Sequence, residues 1–262
     1  MKKKWLYAVV PAFNEEIDMP LWLESIYRSR WRSVFQKIII VDDGSTDQTL
    51  NKINSYKKIL PLHVISYQLN QGPGFAFRKG LRYVLKISNK GAMIVTMECD
   101  NTSDLKILDK MIKKIEGGAD VCVSSYYTKG GGVSNSNWWR NLISRCGNLV
   151  IRLGCDINSV KTFSSFYRVY RREALNELAK DTKGELFVEN GFAHAIEILS
   201  RLFRLRMKLT EEPLFLVNSN RKGKSHMKII PTMFGYLRVI LYYRFYFRSS
   251  YIFLNKTHET QK

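Results

Sequence analysis

Three carboxylates stand close together in the segment IVTMECDNTSD, which covers residues 94–104. Glu98, Asp100 and Asp104 come directly after an apolar run that is typical of a buried strand. Carboxylates this close repel one another unless a cation, or a partner that carries one, lies between them. For Asp104, which follows Ser103, the alternative is a helix start, where a carboxylate favours the helix dipole. The segment therefore indicates a site that holds a cation or a cationic partner.

Two more acidic segments follow apolar runs. PAFNEE covers residues 11–16, and DDGSTD covers residues 42–47. If these runs are parallel strands, their carboxyl ends meet at one edge of a sheet, which is where ligands bind in such folds. A solvated sheet edge would explain any one segment, but three acidic segments at strand ends favour a binding site.

The elements that would position these segments alternate along the first half of the chain. Runs such as KIIIVDD are nearly continuous in β-branched residues, which is typical of parallel strands buried on both faces. The alternation predicts a doubly wound α/β sheet flanked by helices. Predicted strands cover Trp5–Val10, Lys37–Val41, Leu62–Tyr67, Ala92–Met97 and Asp120–Ser125, and predicted helices cover Glu15–Arg30, Thr46–Lys57, Phe75–Ile87 and Ser103–Glu116.

The charge of the chain indicates the classes of partner to expect, and its cysteine content indicates the compartment. The 262-residue chain carries 42 Lys and Arg against 23 Asp and Glu, a net charge of +19. This excess favours an anionic partner: nucleic acid, an acidic membrane surface or a phosphorylated substrate. Nucleic acid is disfavoured because no binding fingerprint is present and the acidic segments would repel phosphates. Four cysteines without a CxxC pair, and no signal-like start, predict reduced thiols in the cytoplasm.

Taken in order, the motifs resemble those of the inverting nucleotide-sugar glycosyltransferases of family 2, and most closely the dolichol-phosphate (polyprenyl-phosphate) mannosyltransferase branch. VVPAFNEE, IIIVDDGSTDQT and NQGPGFAFRKG are similar to the family's first three motifs, and MECDNTSD stands where its metal-binding D-x-D lies. YYTKGGGVSNSNWWRNLISRCGN and FSSFYRVYRREAL are similar to a segment peculiar to the branch. The resemblance implies a GT-A fold, a Rossmann-like doubly wound mixed sheet, over residues 1–227, followed by a basic, aromatic helical tail over residues 228–262.

The resemblance also implies a donor site. A nucleoside diphosphate leaves with growing negative charge, which Mg²⁺ or Mn²⁺ bound by carboxylates would neutralise. Asp100 is the first predicted metal ligand, with Glu98 and Thr102 beside it. Glu98 replaces the family's first Asp, and Thr102 stands where relatives carry Gln or another ligand. The residues predicted to border the nucleotide sugar are Pro11, Phe13, Glu15, Val41, Asp43, Glu98, Cys99 and Asp100.

In the distal half, the resemblance implies an acceptor site. Arg140 and Ser144, four residues apart on one helix face, occupy positions that hold the acceptor phosphate in the branch. Together with Asp100 and Glu189 they form the predicted catalytic set. Tyr126, Asn220 and His226 stand where the branch has basic side chains, and the predicted compensating cations are Arg221, Lys222 and Lys224.

The predicted reaction is inverting transfer of a sugar from a GDP- or UDP-linked donor to a polyprenyl phosphate, dolichyl or undecaprenyl. A phosphate monoester with a second pKa of about 6 is a dianion near neutral pH, so it can attack without a protein base. The alternative is transfer to a glycan hydroxyl in polysaccharide or cell-envelope synthesis. A neutral hydroxyl needs a general base, and Glu189 in LFVENGF is the candidate.

The tail predicts where the protein works. No acidic residue occurs between Pro213 and His258, and aromatic residues alternate with arginines there. Such a segment suits the surface of an anionic membrane, and no run reaches the roughly 18 apolar residues of a spanning helix. We therefore expect a cytoplasmic protein that is peripheral on the inner face of the membrane. The alternative is that the tail packs on the catalytic domain or on a dimer partner.

Overall fold

The protein is represented by a computed structural model that describes residues 5–134, 138–223, 227 and 229–247. The predicted roles of Lys224 and His226, and of residues 248–262 in the tail, lie outside the described residues, as does the side chain of Arg140. The proposed division of the chain at residues 227 and 228 stays a prediction.

Seven strands form the central sheet in the order β3-β2-β1-β4-β7-β5-β8. Strands β1 to β4 are parallel, whereas β7 runs antiparallel between β4 and β5, and β8 is parallel to β5. The sheet is therefore mixed, as predicted. Its strands are β1 (Leu6–Ala12), β2 (Phe35–Asp43), β3 (Leu62–Tyr67), β4 (Met93–Thr96), β5 (Val121–Ser125), β7 (Arg168–Arg171) and β8 (Leu209–Pro213). A separate parallel pair joins β6 (Gly132–Ser134) to β9 (Phe215–Val217).

Helices cover both faces of the sheet. The α-helices are α1 (Asp18–Arg28), α2 (Trp31–Val34), α3 (Thr49–Ser55), α4 (Pro73–Ile87), α5 (Leu108–Glu116), α6 (Trp138–Cys155), α7 (Arg172–Asp181), α8 (His194–Arg204) and α9 (Ile229–Tyr242). Short 3-10 turns cover Leu105–Ile107 and Asn218–Asn220, and a π-helical turn at Tyr243–Phe247 follows α9.

Two hydrophobic layers result because successive strand residues point to opposite faces of the sheet. Val9 and Ile39 belong to one layer, which α4, α7 and α8 complete. Val10 and Ile40 belong to the other, which α1 and α5 complete. Burial on both faces explains the continuous β-branched runs in the sequence and holds the strand ends rigidly in register.

Helix α9 lies against α6 and α8 through small residues. A Cβ atom on Gly235 would lie 2.9 Å from the Cβ of Ala193, and one on Gly154 of α6 would lie 2.5 Å from Cγ2 of Ile240. The opposite side of α9 is apolar and exposed, with Ile230 at 69% and Met233 at 58% of full exposure. One side of the helix thus packs on the protein, while the other presents apolar side chains to the surroundings. Among the helices of the described chain, none combines the length and the apolar character needed to cross a bilayer.

Candidate active site

A cavity of about 1260 Å³ opens at the carboxyl ends of β1, β2 and β4, and α9 forms part of its wall. Strand ends supply the acidic side, because each of these strands runs directly into one of the polar segments. Helix α9 and Met227 supply an apolar side. The predicted residues that line the cavity are Pro11, Phe13, Glu15, Asp43, Glu98, Cys99, Asp100 and Glu189.

Three other predicted residues lie outside the cavity wall. Val41 is fully buried and packs on α4, where its Cγ2 would lie 3.1 Å from a Cβ placed on Gly80. Its side chain therefore belongs to the core, because β2 turns that residue toward the helix layer. Thr102 donates its hydroxyl and its backbone N–H to Oδ1 of Asp100, at 2.6 and 3.1 Å. Thr102 thus supports Asp100. Ser144 hydrogen-bonds Tyr127 on the distal side.

The carboxyl groups on the acidic side of the cavity are desolvated and lie close together. Burial raises the pKa of Glu98 to about 8, and the neighbouring charge of Asp100 adds to that rise. Burial likewise raises the pKa of Glu15 to about 7, while the guanidinium of Arg221 opposes the shift. Such shifts arise where carboxylates share a desolvated space with too little positive charge. This wall of the cavity is therefore suited to bind a cation.

Among the described residues, Arg221 is a cation that contacts this wall. Its Nη1 donates to Oδ2 of Asp100 at 3.2 Å, and its Nη2 donates to Oε1 of Glu15 at 3.5 Å. The backbone beside it is anchored on Asp18, a fully buried carboxylate at the start of α1. Lys222 and Gly223 donate their N–H groups to the two oxygens of Asp18, at 2.9 and 2.7 Å.

The predicted metal ligands Asp100 and Glu98 fit a hard divalent cation, because both present oxygen to the cavity. Mg²⁺ is commonly held by one or two carboxylates together with substrate phosphates, which matches this pair. Within the described ranges, no three acidic, histidine or cysteine side chains converge into a preformed metal site. The pair therefore fits a cation that enters with a phosphorylated ligand.

Asp43 lies between the cavity and the start of α4. Its Oδ2 accepts from the N–H groups of Gln71 and Gly72, at 3.1 and 2.7 Å. Burial raises its pKa, which these two bonds partly offset. Gly72 has φ 102°, a left-handed conformation that glycine adopts without strain. The N–H of Gly74 donates to the carbonyl of Asn190 at 2.6 Å, so these amides are engaged within the protein.

Glu189 is held in place from two directions. Arg238 of α9 donates from Nε and Nη2 to its two oxygens, at 2.6 and 2.5 Å. Its backbone N–H donates at 2.8 Å to Glu197, which in turn forms an ion pair with Arg201 inside the protein. Both carboxylate oxygens of Glu189 are therefore engaged by Arg238.

The remaining predicted residues take structural positions. The Sγ–H of buried Cys99 donates to the carbonyl of Pro11 at 3.6 Å, and burial raises its thiol pKa well above the ordinary value. Asp104 accepts from the N–H of Lys106 at 2.9 Å and caps a 3-10 turn, as the helix-start interpretation predicts. Tyr126, where the branch has an arginine, hydrogen-bonds Ser164 at 2.7 Å.

Asp18 and Arg238 are two of the residues at the site that sequence reasoning did not find. Asp18 follows PAFNEEI, where an acid indicates no more than the first turn of a helix. Arg238 lies in the acid-free tail, for which the sequence predicts a membrane surface or, alternatively, packing on the catalytic domain or a dimer partner. No local signal pairs it with Glu189, because the segment between Pro213 and His258 holds no acidic residue.

Comparison with known proteins agrees with this geometry. A family model described as Glycosyl transferase family 2 matches residues 7–179. The chain is 28% identical over 200 residues to polyprenol monophosphomannose synthase of Mycolicibacterium smegmatis, covering 71% of this chain and 72% of that protein. It is 29% identical over 237 residues to dolichol-phosphate mannosyltransferase of Pyrococcus furiosus, covering 88% of this chain and 61% of that protein.

Among solved structures, the fold is similar to that of glucosyl-3-phosphoglycerate synthase from Mycobacterium tuberculosis, solved with Mn²⁺, UDP and glucosyl-3-phosphoglycerate. The TM-score is 0.64 at 17% identity, and the match covers 92% of this chain and 80% of the other. A second structure of that enzyme, with Mn²⁺ and UDP-glucose, gives a TM-score of 0.65 at 17% identity, covering 92% of this chain and 79% of the other. At this identity the likeness establishes the GT-A type of fold.

Proposed function

Since the chain belongs to glycosyl transferase family 2 and is a glycosyltransferase, we propose that it transfers a sugar, with inversion, from a nucleotide diphosphate sugar to a polyprenyl phosphate. The observation that carries this proposal is the two-sided cavity. Carboxylates at the strand ends suit a metal-bound diphosphate, and the apolar residues Pro231, Phe234 and Val239 of α9 line the same space. A lipid-linked phosphate has the matching combination of charge and apolar chain.

In the proposed reaction, an oxygen of the acceptor phosphate attacks the anomeric carbon from the face opposite the leaving diphosphate. A bond between the acceptor phosphate oxygen and the anomeric carbon forms as the bond between that carbon and the diphosphate oxygen breaks. The nucleoside diphosphate leaves with the electron pair. The acceptor is already a dianion, so no protein group has to remove a proton. The chain's own part is to position both substrates and to exclude water.

Asp100 and Glu98 would hold Mg²⁺ or Mn²⁺, which when bound supplies positive charge to the departing diphosphate. Asp100 is oriented for that task by Thr102. Pro11, Phe13, Glu15, Asp43 and Cys99 would form the walls around the nucleotide. Arg140 and Ser144 remain the proposed holders of the acceptor phosphate, which requires Ser144 to exchange its present partner Tyr127. The donor in this proposal is GDP- or UDP-linked.

The location proposed for the protein is the cytoplasmic face of an anionic membrane. Helices α6 and α9 are neighbours and both expose apolar side chains, among them Leu149, Leu153, Leu237 and Leu241. Arg244 accompanies them, and the segment between Pro213 and His258 holds no acidic residue. Apolar side chains with arginines suit the headgroup region of anionic lipid, where the acceptor is found.

A second candidate is transfer to a glycan hydroxyl, which the position of Glu189 in the cavity wall favours. It needs Glu189 to act as base, and therefore to separate from Arg238. The first candidate has no such requirement, which is why we prefer it.

The test is incubation of the full chain with a panel of GDP- and UDP-sugars, Mg²⁺ or Mn²⁺, and either polyprenyl phosphate or soluble glycans. We expect a lipid-extractable, acid-labile product with one donor. Asp100→Ala should abolish turnover and leave the circular dichroism spectrum unchanged. Product on glycans alone, or full turnover by Asp100→Ala, would contradict the proposal.

A further inference from the structure

Arg221 occupies the position at which the predicted metal ligand Asp100 is open to the cavity. Oδ1 of Asp100 already accepts two hydrogen bonds from Thr102, so Oδ2 is the oxygen turned to other partners. Arg221 takes that oxygen at 3.2 Å. The Asp100 side chain is only 7% exposed and that of Arg221 only 23%, so the contact is shielded from water.

We propose that Arg221 is an internal counter-ion that competes with the divalent cation for Asp100 and leaves this carboxylate when the nucleotide diphosphate enters. The proposal rests on the metal role of Asp100 given under the proposed function. A divalent cation at Oδ2 would lie within a few ångströms of the guanidinium, where like charges repel strongly in a shielded site. The two cations therefore exclude each other from this oxygen.

The backbone around Arg221 is built so that its side chain can move alone. On one side, Lys222 and Gly223 are tied to buried Asp18. A side chain at Gly223 would have its Cβ 2.8 Å from Oδ2 of Asp18, so a larger residue there would have to displace this carboxylate. On the other side, Nδ2 of Asn220 donates to the carbonyl of Asn101 at 3.4 Å. The backbone at Arg221 is therefore held over the acidic wall, while its long side chain can rotate.

Charge explains why the arginine would leave. Without a ligand, the wall formed by Glu15, Glu98 and Asp100 attracts a cation, and among the residues that the structure describes Arg221 is one that contacts it. A bound diphosphate offers the guanidinium an alternative anion in the same cavity, with which arginine pairs well. The metal ion and the nucleotide should consequently increase each other's affinity, because each helps to displace Arg221 from Asp100.

Mn²⁺ binding followed by electron paramagnetic resonance tests this directly, because free Mn²⁺ gives a signal that bound Mn²⁺ loses. The full chain is titrated with Mn²⁺ alone and then with Mn²⁺ in the presence of UDP or GDP. Arg221→Gln should bind Mn²⁺ alone about tenfold more tightly than the wild type, a difference of about 1.4 kcal/mol. The nucleoside diphosphate should then increase its Mn²⁺ affinity less than it does for the wild type.

Lys222→Gln is the matched control. It removes one positive charge from the neighbouring residue, whose exposed ammonium donates to the carbonyl of Ser219 at 2.9 Å. Its Mn²⁺ affinity should equal that of the wild type. Arg221→Lys, which retains the charge, should stay closer to the wild type than Arg221→Gln does. Equal affinities for the wild type and Arg221→Gln, or an equal gain from Lys222→Gln, would overturn the inference.

Asp100→Asn separates this inference from the proposed function. If Asp100→Asn abolishes Mn²⁺ binding while Arg221→Gln leaves it unchanged, the metal role stands and the competition is refuted. If Asp100→Asn binds Mn²⁺ as the wild type does, even with nucleoside diphosphate present, both the metal role and the competition are refuted.

Discussion

Arg238 lies 49 residues beyond Glu189 in the chain, yet its guanidinium holds both oxygens of that carboxylate. The pair joins α9 to the wall of the cavity, beside the close approach of Gly235 to Ala193. This gives Glu189 a structural task, which is to fix the helix that covers the apolar side of the site. The same contact makes Glu189 less available as a base.

Replacing either member of this pair should therefore affect stability more than chemistry. We expect Glu189→Gln and Arg238→Gln each to lower the free energy of unfolding by about 1 kcal/mol, since the arginine side chain is largely exposed. The double variant should cost about the same as either single one, because the interaction is lost once. Urea denaturation measures the three values. Loss of all turnover in Glu189→Gln at unchanged stability would instead favour a catalytic base and a hydroxyl acceptor.

Asp18 should control the segment that carries Arg221. Asp18→Ala leaves the N–H groups of Lys222 and Gly223 without their buried acceptor, so the segment should detach. We expect trypsin to cleave after Arg221 or Lys222 several-fold faster than in the wild type, as detected by mass spectrometry of the fragments.

The control is Asp109→Ala, which removes an exposed carboxylate paired with Arg30. Its cleavage in this segment should match the wild type. Equal rates for Asp18→Ala and the wild type would mean that Asp18 does not hold the segment.

His194 should make the protein less stable in mild acid. Its ring is 2% exposed, stacks on Phe166 and hydrogen-bonds the carbonyl of Gly191 at 2.7 Å. Burial lowers its pKa to about 3, whereas the unfolded value is about 6.5. Between these values the unfolded chain binds a proton that the folded protein does not. The contribution of His194 to the free energy of unfolding is therefore constant above about pH 6.5. Below that pH, the free energy of unfolding falls by up to about 1.4 kcal/mol per pH unit.

His194→Gln removes the imidazole that binds this proton in the unfolded chain, and the glutamine amide can still donate to the Gly191 carbonyl. We expect its stability to fall less than that of the wild type between pH 6.5 and 5, as measured by urea denaturation at each pH. The comparison of the two proteins cancels the contributions of other groups that titrate in this range. Parallel curves for the two proteins would show that His194 is not the group responsible.

The exposed apolar side chains of α6 and α9 should determine membrane binding. Leu153→Glu on α6 or Leu237→Glu on α9 should weaken sedimentation with anionic vesicles by at least about tenfold, because a buried leucine is worth about 2 kcal/mol. Leu69→Glu is the matched control: Leu69 is 76% exposed and follows β3, so the same change in charge and size occurs outside both helices. If all three variants sediment alike, these helices are not the contact surface.

The local sequence pattern was sufficient to predict most helices and strands and the acidic side of the candidate site. Continuous β-branched runs are typical of strands buried on both faces, and acidic segments after such strands meet at one edge because parallel strands end together. Glu15, Asp43, Glu98 and Asp100 were therefore predictable as neighbours. The GT-A type of fold followed from the order of the motifs.

The tertiary structure decided which segments far apart in the chain contact one another. Nothing local places β7 antiparallel between β4 and β5, brings Arg221 to an aspartate 121 residues earlier, or sets α9 over the cavity. Side-chain direction was equally open: Val41 turned into the core, and Thr102 turned to Asp100. The physical reason is that residue type and spacing specify periodicity and burial, whereas the partner of a charge depends on which distant segments pack together.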